Sequence, residues 1–183
     1  MSKAIVFLAD GVEECEGLLA VDLMRRAGIE VTTVSIGETT AVRSSHGIEL
    51  RTDMSAAAAD FDAADALVLP GGLAGTANLA ASSLVREQCL AFYGSRRLLA
   101  AICAAPSILA SLGLLEGKQA TVHPNFEEKM QGAVLTHTPV ACDGNIVTGR
   151  SLAASVEFSL ELVRRLAGEE TAEKVARGIC LSD

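Results

Sequence analysis

The chain contains no tryptophan and one tyrosine, and five phenylalanines complete its aromatic set. Base-stacking platforms and aromatic-lined pockets need more than this. Positive charge is also in deficit. Fifteen Lys and Arg face twenty-three Asp and Glu, for a formal charge of −8. A protein that tracks phosphates along a nucleic acid carries the opposite sign, so strong bulk nucleic-acid binding is not expected. Cysteine is sparse, at five in 183 residues, and odd in number. No Cys-x-x-Cys spacing occurs, which disfavours a disulfide scaffold, a redox dithiol and a zinc knuckle. No apolar run approaches the ~20 residues of a membrane span. The stretch Ala4 to Ala9 is shorter than the ~7–15-residue core of a secretory signal, and Asp10, Glu13 and Glu14 follow it at once. The expectation is a cytoplasmic protein in a reducing setting, with free thiols and no membrane contact.

What is present is an aliphatic core. Half of the residues are apolar and only 21% are charged, which excludes disorder. A chain of 183 residues corresponds to about one domain and can bury ~70% of its unfolded surface without a metal or disulfide staple. No linker, repeat or low-complexity tract divides it, so residues 1–183 read as a single domain.

Apolar runs of strand length alternate with helical patterns. Strands are expected at Lys3–Ala9, Ile29–Ile36, Ala66–Leu69, Leu98–Ile102, Thr121–Val122, Val134–Val140 and Asn145–Thr148. Helices are expected at Leu18–Ala27, Ala74–Leu79, Ser82–Tyr93, Ala104–Leu112, Ser151–Ala167 and Glu169–Arg177, with a helical piece from His123 to Met130. Residues 37–55 suit a hairpin. The alternation predicts an α/β fold: a mostly parallel sheet with helices on both faces, a three-layer sandwich. In such folds the ligand sits beyond the carboxyl ends of the strands. Function is therefore sought just after Ala9, Leu69, Ile102 and Val122.

Cys103 follows a strand and opens a helix, the placement of a nucleophile elbow. Unpaired N–H groups at a helix start would favour the thiolate. The other reading is a buried structural cysteine. Pro70-Gly71-Gly72 ends the preceding strand. Either it lets backbone N–H groups approach a ligand and, with the Ala104 N–H, form an oxyanion hole, or it is a plain tight turn. Its spacing fits neither a Walker loop nor a dinucleotide fingerprint. Glu13, Glu14 and Glu16 either cap a helix or place a protonated carboxyl beside Cys103. His123 is either an acid/base partner of the thiol or a surface or core histidine. His46 and His137 read as structural, and Cys15, Cys89, Cys142 and Cys180 as structural or incidental.

Five segments together resemble the ThiJ/PfpI superfamily, in its protein deglycase branch. They are Ala-Asp-Gly-Val-Glu-Glu-Cys-Glu (9–16), Asp-Leu-Met-Arg-Arg-Ala-Gly-Ile (22–29), Val-Leu-Pro-Gly-Gly (68–72), Ala-Ala-Ile-Cys-Ala-Ala-Pro (100–106) and His-Pro (123–124). The resemblance runs over nearly the whole chain, and its 22–29 and 100–106 segments are the specific ones. It implies a flavodoxin-like fold that forms a homodimer. It implies Cys103 as nucleophile on a strained elbow and Glu16 as the protonated carboxyl paired with it. Gly72 and Ala104 become the oxyanion donors and His123 the nearby histidine. The implied activity is a cofactor-independent, metal-free deglycase and glyoxalase acting on methylglyoxal, glyoxal and their adducts on protein side chains and nucleotides. An oxidative-stress chaperone acting on unfolded clients, or a thiol redox sensor, is the alternative. Departures narrow this. Ala104 stands where the protease-like branch places His, and Asn125 stands where the amidotransferase branch places Glu. Ala105 replaces a usual Gly, and Cys15 replaces a usual Met between the acids.

Overall fold

The first strand, β1 (Lys3–Leu8), is buried from its second residue onward, and its apolar run has no polar face. Such a strand belongs in the middle of a parallel sheet. This computed structural model describes residues 1–181; the last two residues of the expected domain, Ser182 and Asp183, lie outside the described residues.

After β1 come α1 (Glu14–Arg26), β2 (Glu30–Ser35), the hairpin β3 (Ala41–Arg43) and β4 (Glu49–Arg51), and a short β5 (Met54–Ser55). The middle of the chain supplies β6 (Ala66–Leu69), α2 (Leu73–Ala81), α3 (Ser83–Gly94), β7 (Leu98–Ile102) and α4 (Pro106–Ser111). Then follow β8 (Gln119–Ala120), β9 (Val134–Leu135), β10 (Val140–Asp143), β11 (Ile146–Gly149), α5 (Ser155–Ala167) and α6 (Glu169–Gly178). Seven strands form one sheet in the order β10-β11-β7-β6-β1-β2-β5. Only the β10–β11 hairpin is antiparallel within it. The five strands β2-β1-β6-β7-β11 run in the flavodoxin-like order, in which ligands bind where the order reverses, between β1 and β6.

Side chains of successive strand residues point to opposite faces, and this divides the core in two. Val6, Leu8, Val68 and Ile102 pack with Leu23 and Met24 of α1 and with Phe158 and Leu162 of α5. Ile5, Phe7, Leu67 and Leu99 pack on the other face with Val85 and Phe92 of α3 and with Ile108 and Leu109 of α4. Each helix therefore spends one apolar stripe on the sheet, and the chemistry is left to the strand ends.

The α/β class, the central strands and the 37–55 hairpin agree with expectation. Four local readings need correction. Helix α1 starts at Glu14 rather than Leu18, because the acids suit the positive end of its dipole. Thr121 and Val122 are not a strand; Gln119–Ala120 is, paired with Val134–Leu135 in a separate two-stranded sheet. The expected strand Val134–Val140 is broken, since Gly132 (φ 82°) precedes it and His137 (φ 56°) lies in the left-handed region inside it. The expected helix from Ala104 begins only at Pro106, after a turn in which the Ala105 N–H donates to the Ile102 carbonyl at 3.1 Å.

Candidate active site

Five segments meet at the carboxyl end of the sheet: the loops after β1, β6, β7 and β11, and the turn after β8 that carries His123. They enclose a pocket of about 350 Å³, with Cys103, Glu16, Gly72, Ala104 and His123 all on its wall.

Cys103 has φ 64°, in the left-handed region that costs a non-glycine residue of order 1–3 kcal/mol. The strain is held from three sides. Its N–H donates to the Gly149 carbonyl of β11 at 2.9 Å, and its own carbonyl accepts from the His123 N–H at 2.8 Å. Pro106 then starts α4 without needing an N–H partner. This is the expected elbow, and it turns the sulfur into the pocket.

The β6 loop brings two glycines against it. A Cβ on Gly71 would lie 2.5 Å from Glu16 Oε2 and 2.6 Å from Cys103 Cβ. Gly72 has φ 92°, and a Cβ there would collide with the Gly11 carbonyl and approach the Glu13 nitrogen at 2.5 Å. Both positions exclude any side chain. The N–H groups of Gly72 and Ala104 lie beside the Cys103 sulfur and both act to lower its pKa.

Glu16, on the first turn of α1, is 1% exposed. Its Oε2 accepts from the Gly71 N–H at 3.0 Å, and the Cys103 thiol lies beside the carboxyl and acts to lower its pKa. Oε1 has no well-aligned partner of its own. Burial pushes the Glu16 pKa up to about 7, against the opposing pull of the thiol and the Gly71 N–H. The Cys103 thiol is pushed up to about 12, by burial first and then by the adjacent Glu16 carboxylate. The Gly72 and Ala104 N–H groups pull it down without prevailing. Burial and the Glu16 carboxyl therefore oppose the thiolate that a helix start would favour. The carboxyl at contact distance and the loss of water outweigh a helix that begins three residues later. Near neutral pH the two groups titrate as a pair and cannot both be ionised.

His123 lines the pocket, but only its backbone contacts Cys103. Its Nδ1 accepts from the Asn125 N–H at 3.3 Å, which leaves the proton on Nε2. Its side chain has no hydrogen bond to the Cys103 thiol among the described residues. His137 lies 3.2 Å from Glu127, away from Cys103. Glu13, Glu14 and His46 offer ligand atoms within 4.8 Å of one another. They satisfy each other: the Ser45 hydroxyl bonds both carboxyls and His46 Nδ1 lies 2.9 Å from Glu14.

Sequence reasoning missed the wall after β11, where Ser151 and Leu152 join the pocket. It searched four strand ends and omitted Gly149. The signal was Thr148-Gly149-Arg150-Ser151, a strand end followed by a helix, as at Cys103. Phe126 and the 76%-exposed Leu73 complete an apolar rim.

An open α/β sandwich carrying a strained cysteine elbow beside a buried carboxyl defines a class of cysteine-centred, flavodoxin-like proteins. Comparison with known proteins sharpens this. The model of the DJ-1/PfpI family matches residues 2–165, and the chain belongs to that family. It is 38% identical to protein dj-1beta of Drosophila melanogaster over 185 aligned positions, covering 100% of this chain and 99% of the relative. The crystal structure of the Drosophila protein superposes with a TM-score of 0.94 at 37% identity, covering all of both chains. The Parkinson disease protein 7 homolog of Danio rerio is 37% identical over 99% of this chain and 98% of its own length. Isonitrile hydratase of Pseudomonas putida is 33% identical over 73% of this chain and 58% of its own.

Proposed function

We infer that this protein is a cofactor-independent cysteine hydrolase of reactive dicarbonyls and their early adducts, a deglycase with glyoxalase activity. The observation that carries this reading is the coupled pair of Cys103 and Glu16 beneath two convergent N–H donors. The family contains enzymes that add water to small carbon electrophiles, as the isonitrile hydratase relative illustrates. A stress-related role of the DJ-1 type fits the same membership.

The proposed sequence balances without a cofactor. The Glu16 carboxylate takes the Cys103 proton as the sulfur adds to the aldehyde carbon of methylglyoxal. The N–H groups of Gly72 and Ala104 stabilise the oxyanion, which then takes the proton from Glu16 to give a hemithioacetal. Glu16, again ionised, removes the hydrogen from that carbon and returns it to the neighbouring carbon, while the hydroxyl proton on the first oxygen passes to the second oxygen. The first carbon is oxidised and the second reduced, leaving a thioester of lactate. Water cleaves it to lactate and the free thiol. With a glycated amine, a hemiaminal, the carbon–nitrogen bond breaks first, the hydroxyl proton leaves with the free amine, and the aldehyde so formed follows the same steps.

A pKa near 7 suits Glu16 to this work, because a general base is most effective when its pKa lies near the working pH. A homodimer fits this family, and light scattering on the purified protein tests it. Product analysis with methylglyoxal tests the function. Wild type is expected to yield lactate and Cys103→Ala none above the uncatalysed rate. Equal yields from both would overturn the reading.

A further inference from the structure

A second cavity, of about 910 Å³, opens at the opposite end of the strands, where β6, β7 and β11 begin. Its wall carries Arg96, Arg97, Lys118 and Arg165 against one acid, Asp65. Four of the fifteen cations of a chain with charge −8 thus face one space. We propose that this cavity is a binding site for a small phosphate-bearing anion, separate from the Cys103 pocket.

The disposition of each cation supports this. Arg97 stacks on Phe92, with Cζ 3.8 Å from the ring centroid, and donates to the carbonyls of Phe61 and Ala64 at 2.6 and 2.9 Å. Neutral carbonyls fix the guanidinium and leave its charge intact. Lys118 is 3.4 Å from Asp143, and Arg165 is 3.0 Å from Glu161, a carboxylate it shares with Arg164. Asp65 already accepts the Lys3 N–H at 2.8 Å. The Arg96 guanidinium has no hydrogen-bond or ion-pair partner among the described residues.

Arg96 follows the last turn of α3 with φ 59°. Its N–H donates to the Tyr93 carbonyl at 3.1 Å, and the Arg97 N–H donates to that of Phe92 at 3.0 Å. This is the helix stop at which glycine is preferred, and Cys180 makes the same stop after α6. The left-handed residue ends α3 and leaves the Arg96 guanidinium beside the other cations of the cavity. Helix dipoles account for cations near the ends of α3 and α5, but not for their convergence with Lys118, which belongs to no helix. Guanidinium forks match phosphate oxygens, and several cations suit a ligand bearing more than one charge.

The test is calorimetric titration at low ionic strength with pyrophosphate and ADP as probes, and with citrate as a carboxylate control. Wild type is expected to bind both phosphates, and each should raise the melting temperature. Arg96→Gly is expected to fold at least as stably, since it relieves the left-handed strain, to keep its lactate activity and to weaken pyrophosphate binding at least about tenfold. Lys118→Gln gives a second variant with the same expected weakening. Absence of binding at millimolar pyrophosphate would overturn the proposal. So would unchanged affinity in both variants, or citrate binding as tightly as pyrophosphate.

Discussion

The Gly71 N–H donates to Glu16 Oε2 at 3.0 Å, and the same glycine lies against Cys103, where a Cβ would come within 2.6 Å of that residue's own. One residue without a side chain therefore spaces the carboxyl from the thiol. Gly71→Ala is expected to force the pair apart. Activity should fall by at least about a hundredfold, the scale of a general-base contribution, while the sheet still forms. Steady-state kinetics beside circular dichroism check this.

Glu16 carries a stability cost that follows from its shift. Its folded pKa of about 7 lies above the ordinary value of 4.5, so the native state holds the extra proton between those pH values. Wild-type stability then falls as pH rises through that window, by up to about 3 kcal/mol. Glu16→Gln removes the penalty and can keep the Gly71 bond through its amide oxygen. The variant is expected to be inactive yet more stable than wild type at pH 8, with the gap closing towards pH 5. Urea denaturation across that range measures it. A variant less stable at pH 8 would argue against a buried, strained carboxyl.

Cys103 pays in backbone conformation. Cys103→Ala keeps φ near 64° with a Cβ present, whereas Cys103→Gly relieves it. Both variants are expected to be inactive, with the Gly form more stable than the Ala form by about 1 kcal/mol. Equal denaturation midpoints would show that the elbow stores no such strain.

His123 is expected to matter less than the pair. It lines the pocket but its side chain does not hydrogen-bond Cys103. His123→Ala should lower kcat by about tenfold to a hundredfold with little change in KM, and should leave the Glu16-dependent pH limb in place. A loss as complete as that of Cys103→Ala would instead make His123 an obligatory base.

Much of the site was legible because it lies on local punctuation. A buried apolar strand, then Cys103, then Pro106 marks an elbow; Gly71-Gly72 after Ala66–Leu69 marks a close backbone approach. Glu16 could not be chosen over Glu14 by spacing alone. Glu14 turns towards His46 and Ser45 and only Glu16 turns inward, which depends on the start of α1 and on Gly71. A helix start is visible in the sequence, whereas the burial of Cys103 against a carboxyl distant in sequence is not. Short strands such as Gln119–Ala120 escaped because two residues carry no period. His137 escaped because a left-handed residue other than glycine leaves no compositional trace.

The central claim is that Glu16 takes the Cys103 proton. The pH dependence of kcat/KM for lactate formation from methylglyoxal tests it most directly, compared between wild type and Glu16→Gln. Wild type should fall below about pH 7 and level off above it, following ionisation of the Glu16 carboxyl. Glu16→Gln should be at least about a hundredfold slower and should lack that limb. A limb near pH 7 that survives in Glu16→Gln at full rate would contradict the account.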